Sequence, residues 1–160
     1  MNNKGTPVVT DIKVIPVAGY DSMSLTLSGA HAPFFIRNII IISDNSGNVG
    51  LGEIHGGERI RQALENKPVV IGKHIGDYKN IIRELKDMVW CENQDNGEGL
   101  QKLDLKNLCF VVHAETAVES ALLDLLGQYM NLPVASLLGD GKQRGAVRML
   151  GYLFYVGDKN

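Results

Sequence analysis

The chain has 160 residues, 44% of them hydrophobic and 21% charged, with a formal net charge of -2. That is enough to bury one core without staples, and it excludes the disordered, collagenous and disulfide-dense classes. The near-neutral balance offers no basic footprint for nucleic acid and no polybasic patch for a membrane surface, so neither is expected as a partner.

Cys91 and Cys109 have no CxxC spacing and form no framework of pairs, so reduced thiols in a cytoplasmic protein are expected. Residues 1–6 are polar, and the apolar stretch after them is broken by Asp11 and Lys13, which is wrong for a secretory signal. The longest wholly aliphatic run, 39–42, is far too short to span a bilayer.

In chain order, residues 7–17 carry Val8, Val9, Ile12, Val14, Ile15 and Val17 in loose alternation with polar residues, the pattern of a half-buried strand. Residues 18–33, with Gly19, Asp21, Ser22, Ser28, Gly29 and Pro33, read as a long loop of the kind that more often binds than merely connects. Residues 34–42 form a second strand and 49–54 a third. Between them, Ser43-Asp44-Asn45-Ser46-Gly47-Asn48 has the chemistry of a hairpin turn.

After Gly56-Gly57 the spacing becomes helical. A short helix is expected over 58–66, stopped near Pro68, and another over 76–89. A long helix starts near Asp104, and Ala114, Ala117, Val118, Ala121, Leu122, Leu125 and Leu126 make its buried stripe before Asn131 and Pro133 end it. Residues 134–138 give a further helical turn, and 147–156 a new strand. Strands first and helices after indicate an α+β fold, a three-stranded antiparallel sheet followed by a helical bundle. The final strand lacks a downstream partner, which suggests a second domain beyond it.

Glu53 and His55, two apart on a strand, share a face, but no third ligand is in reach by spacing, and solvated strand-end residues are the expected reading. His113 and Glu115, two apart on a helix, do not face each other. Gly139-Asp140-Gly141-Lys142 lacks the spacing of a phosphate loop. Trp90, Phe110, Tyr78 and Tyr129 are expected in the core. His31 ends a glycine-bearing loop where no apolar stripe explains it, and the residues alone leave both a binding and a turn-stabilising role open.

Ordered blocks now become recognisable. Val14-Ile15-Pro16-Val17-Ala18-Gly19, Asp21-Ser22-Met23, Ser28-Gly29-Ala30-His31-Ala32-Pro33, Arg37-Asn38-Ile39, Gly52-Glu53-Ile54, Leu122-Leu123-Asp124-Leu125-Leu126-Gly127, Ser136-Leu137-Leu138-Gly139-Asp140-Gly141 and Gly151-Tyr152-Leu153-Phe154 resemble the start of the glucarate dehydratases and their paralogues in the enolase superfamily. The resemblance covers nearly the whole chain.

It implies an enolase-like amino-terminal capping domain over residues 1–145, with 146–160 as the start of a barrel domain, and no TIM barrel within this chain. In such lyases water is eliminated after a base removes the proton α to a carboxylate, and Mg²⁺ in the full-length protein stabilises the enediolate. The catalytic residues lie in the barrel, so the resemblance implies no catalytic residue, no metal ligand and no cofactor in this chain. It implies acid-sugar contacts, only with a barrel present, from His31 and Tyr152. Lys102 falls where the dehydratases have a substrate-contacting threonine, so that contact is altered, and residues 107–115 form a longer segment than in typical members. The alternative is a truncated stand-alone binding or oligomerisation module built on the cap. A cap without its barrel exposes an apolar patch, and a homo-oligomer is therefore expected.

Overall fold

The computed structural model describes residues 5–20, 34–65, 69–92 and 105–151. A meander of three antiparallel strands, β1 (Val9–Tyr20), β2 (Phe34–Asp44) and β3 (Val49–His55), is followed by the helices α1 (Glu58–Leu64), α2 (Tyr78–Glu92) and α3 (Leu105–Met130). Short 3₁₀ turns at Ile75–Asp77 and Val134–Ser136 complete the described elements. No barrel forms among the described residues.

Register follows the alternation of apolar side chains. Ile12 pairs with Ile42, Val14 with Ile40 and Pro16 with Asn38. Ile12, Ile40 and Ile42 are buried on the side that faces the helices. The turn between β2 and β3 is held by Asp44, whose Oδ1 accepts from the amides of Ser46 (2.8 Å) and Asn48 (3.1 Å). Gly47 takes the positive φ of 87° that the turn requires.

Helix α3 lies directly under β3. Gly50 and Gly52 permit it: a Cβ on Gly50 would meet the carbonyl oxygen of Ala121 at 2.1 Å, and one on Gly52 that of Ala117 at 2.2 Å. The buried stripe Ala114, Ala117, Val118, Ala121, Leu122 and Leu125 packs there with Ile40, Ile42, Ile81, Leu85 and Val89 into one core, as the helical spacing predicts. Asn131, at φ 53°, ends α3, and the Leu132 amide returns to the Gly127 carbonyl at 2.9 Å, closing a Schellman-type cap.

The rim of β3 and the start of β1 are covered. Asp124 Oδ2 accepts from the Leu51 amide at 2.9 Å, and Gln128 Nε2 donates to the Val49 carbonyl at 2.8 Å, so α3 side chains occupy the rim of β3. Across the sheet, the Val9 amide donates to Lys73 O and the Gly72 amide to Val9 O, which covers the start of β1. Further along that rim Pro16 has no amide to offer.

Three expectations need correction. β1 runs on to Tyr20, where a loop is expected from residue 18, because Ala18, Gly19 and Tyr20 pair with Ile36, Phe35 and Phe34. The predicted strand over 147–156 is not formed in its described part, 147–151: an extended segment with no neighbouring strand has no ladder to join, and Val147, Met149 and Leu150 lie exposed. Tyr129 is half exposed rather than in the core, its hydroxyl donating to Gly5 O at 3.1 Å, whereas Tyr78 does pack against the core. The side chains of Trp90 and Phe110 lie outside the description.

Candidate functional site

The residues that the resemblance points to, His31, Lys102 and Tyr152, all lie outside the described residues. What the structure does place is the frame around one of them. The segment carrying His31 leaves the sheet at Tyr20 and re-enters it at Phe34. These two are register partners whose ring centroids stand 5.4 Å apart.

At the same end of the sheet β3 finishes at His55, opposite Arg37 on β2. The backbone then turns through Gly56 and Gly57, pinned by the Gly56 amide on Ile36 O at 2.9 Å and by Asn38 Nδ2 on Gly57 O at 3.2 Å. Gly57, at φ 153°, precedes the first turn of α1. Asn38 is buried at 1% exposure, and the backbone carbonyls of His55 and Gly57 accept from its Nδ2.

Arg37 organises the polar side chains here. Its Nε lies 3.1 Å from Glu53 Oε1, and its Nη1 lies 3.1 Å from Ile36 O and 3.2 Å from His55 Nδ1. A guanidinium only donates, so His55 Nδ1 is the acceptor and the ring proton sits on Nε2. The His113 ring of α3 meets His55 edge-on, at 5.7 Å between centroids.

Glu53 and His55 thus share a face as their spacing predicts, but a cation ties both. Both are exposed at the end of the strand, as expected, and among the described residues no group of three or more His, Cys, Asp or Glu could hold a metal ion. The cluster can donate hydrogen bonds and position backbone. Arg37 was the sign of it in the sequence, the one charge inside the apolar run 34–42.

His113 and Glu115 separate as expected: His113 turns to His55, while Glu115 has one oxygen, Oε1, shut from solvent without a partner. Burial raises the Glu115 carboxyl above the ordinary glutamate range, Lys86 opposes that shift, and Glu119 adds to it. A shallow cavity of about 350 Å³, lined by Asp124, Gly127, Gln128 and Asn131 among others, opens at the opposite end of the sheet, beside Val49.

With this geometry in hand, comparison places the chain. Residues 37–139 match the family described as mandelate racemase / muconate lactonizing enzyme, N-terminal domain. The chain belongs to that family. It is 28% identical, over 92% of its length, to a probable glucarate dehydratase of Streptomyces coelicolor, of which it covers 35%.

Among solved structures, an enolase of Pseudomonas fluorescens with bound magnesium, potassium and tartrate superposes with a TM-score of 0.77 at 30% identity, covering 94% of this chain and 36% of that one. An enolase of Thermobispora bispora complexed with magnesium and formate gives 0.75 at 30% identity, covering 92% and 35%. The chain therefore spans about a third of the length of the relatives it matches. It carries an enolase-superfamily amino-terminal domain like that of glucarate dehydratase-like proteins. No helix among the described residues is long and apolar enough to cross a membrane.

Proposed function

We propose that this chain is the substrate-capping part of an acid-sugar dehydratase of the glucarate type, not catalytic alone. One observation carries the reading: both ends of the segment bearing His31 emerge at the Tyr20 and Phe34 pair, beside the β3 terminus at His55 and Gly57. A cap needs its substrate-facing segments gathered at one end, and this sheet gathers two. The likeness to a probable glucarate dehydratase supports the substrate class.

In this reading His31 and Tyr152 contact the acid sugar, Lys102 alters a third contact, and Arg37 and Asn38 hold the backbone from which the cap closes. The elimination itself belongs to a barrel, where Mg²⁺ would stabilise the charge that develops on the carboxylate. In this reading the role of this chain is to bind, to orient and to exclude water.

The test is a graft of residues 1–145 onto the barrel of the Streptomyces coelicolor relative. The expected result is Mg²⁺-dependent dehydration of an acid sugar by the chimera and none by the 160-residue chain. His31→Ala in the chimera should lower kcat/KM by roughly 1–3 kcal/mol of transition-state stabilisation. An unchanged kcat/KM on every acid sugar accepted would remove His31 from the site, and turnover by the isolated chain would overturn the capping role.

A further inference from the structure

We infer that the outer face of the sheet is a surface on which two copies of this chain associate, face to face. The helices cover one side of the meander, and residues 11, 13, 15 and 17 of β1, 39 and 41 of β2, and 49, 51 and 53 of β3 point to the other. A sheet face left to water normally carries polar side chains there. Here Val49 and Leu51 on β3, Ile41 and Ile39 on β2, and Ile15 and Val17 on β1 stand on it. Leu51 is 56% exposed, and Ile15, Val17 and Val49 are each 40% or more.

The register sets these side chains in one band. Ile41 is the partner of Leu51, and Ile39 the partner of Ile15. The apolar positions therefore step diagonally across the sheet, from Val49 at one corner to Val17 at the other. The Phe35 ring, lying over Gly19, continues the line.

The two remaining corners are charged, and each is neutral within itself. Asp11 and Lys13 pair at 3.8 Å on β1, and Arg37 and Glu53 pair at 3.1 Å across β2 and β3. Lys13 and Glu53 flank the band from opposite sides, one residue row apart.

A second copy satisfies this pattern. With a two-fold axis running along the band, the band stacks on itself and the charged corners exchange, so that Lys13 of each copy stands over Glu53 of the other. Parallel charges would clash in a stack of unrelated geometry, whereas this one sets opposite signs together twice. Edge-to-edge pairing is the common alternative for a small sheet, and on the β3 rim the side chains of Asp124 and Gln128 stand in its way. Strand spacing and rise give the face an area of roughly 400 Å², or on the order of 1,000 Å² of accessible surface for the pair. That is the low end of specific interfaces, so the dimer is weak, with a dissociation constant in roughly the micromolar range.

Sedimentation equilibrium of the 160-residue chain over a wide concentration range tests this independently of any acid-sugar activity. The wild-type chain should dimerise reversibly. Lys13→Glu should weaken the dimer by about tenfold or more, because two like-charge contacts replace two opposite ones, and Lys13→Glu with Glu53→Lys should restore it. Leu51→Lys should give a monomer, with circular dichroism confirming that each variant folds. A wild-type chain that stays monomeric at several hundred micromolar, or a double variant as weak as the single, overturns the inference. So does a dimer that Ile36→Asp dissociates and Lys13→Glu does not, which would put the interface at the apolar hairpin end.

Discussion

Replacing Gly52 by alanine adds one methyl group where there is no space for it. The new Cβ would stand 2.2 Å from the Ala117 carbonyl oxygen, against an ordinary contact of about 3.4 Å or more. The obstacle is helix backbone, so no rotamer change relieves it, and α3 must lift from β3 by about 1 Å. That lift loosens Ala117, Ala121 and Leu122, each fully buried at the same seam. Overpacking of this kind costs typically 1–3 kcal/mol, and a backbone obstacle belongs at the upper end, about 3 kcal/mol. At this chain length that lowers Tm by roughly 6–12 °C. Thermal and urea unfolding of Gly52→Ala measures it, with Gly145→Ala as the control, since a Cβ on Gly145 meets nothing within 4 Å. If Gly52→Ala unfolds within 0.5 kcal/mol of the wild type, the close approach of α3 to β3 is not as described.

Two further outcomes follow from the core and from the partly buried Glu115 carboxyl. Leu122→Ala, at a position with no solvent exposure, should cost about 2–5 kcal/mol in urea denaturation, and a cost below 1 kcal/mol would mean that the α3 stripe is not core. Burial raises the folded-state Glu115 carboxyl, so the native chain holds its proton more tightly than the unfolded chain does. Stability therefore falls as pH climbs from the ordinary glutamate range through the raised value. Glu115→Gln should flatten that slope in urea titrations between pH 4 and 7, and an unaltered slope would assign it to another group.

Much of this architecture was legible because it rests on period. A continuous β-branched and aromatic run marked β2, and the turn residues 43–48 set off β3, each to within two residues, and the spacing of Ala114, Ala117, Val118, Ala121, Leu122 and Leu125 identified the buried face of α3. What escaped was what depends on partners distant in the chain. Ala18 and Gly19 have weak strand character and become strand, with Tyr20, because β2 pairs with them. Residues 147–151 have the apolar pattern and lack the partner. The Arg37 cluster joins residues from two strands and a helix, and spacing could relate Glu53 to His55 but not either of them to Arg37 or His113.

The side chains that finish the rim of β3 come late in the chain. Gln128 lies 79 residues beyond the Val49 carbonyl it binds. During synthesis at about 5–20 residues per second, the meander therefore waits roughly 4–16 s with a bare row of backbone donors and acceptors before α3 emerges to dress it. The hazard for this protein in the cell is thus one of timing. Aggregation should be most acute on nascent chains stalled between residues 60 and 120, and should fade once residue 128 is free.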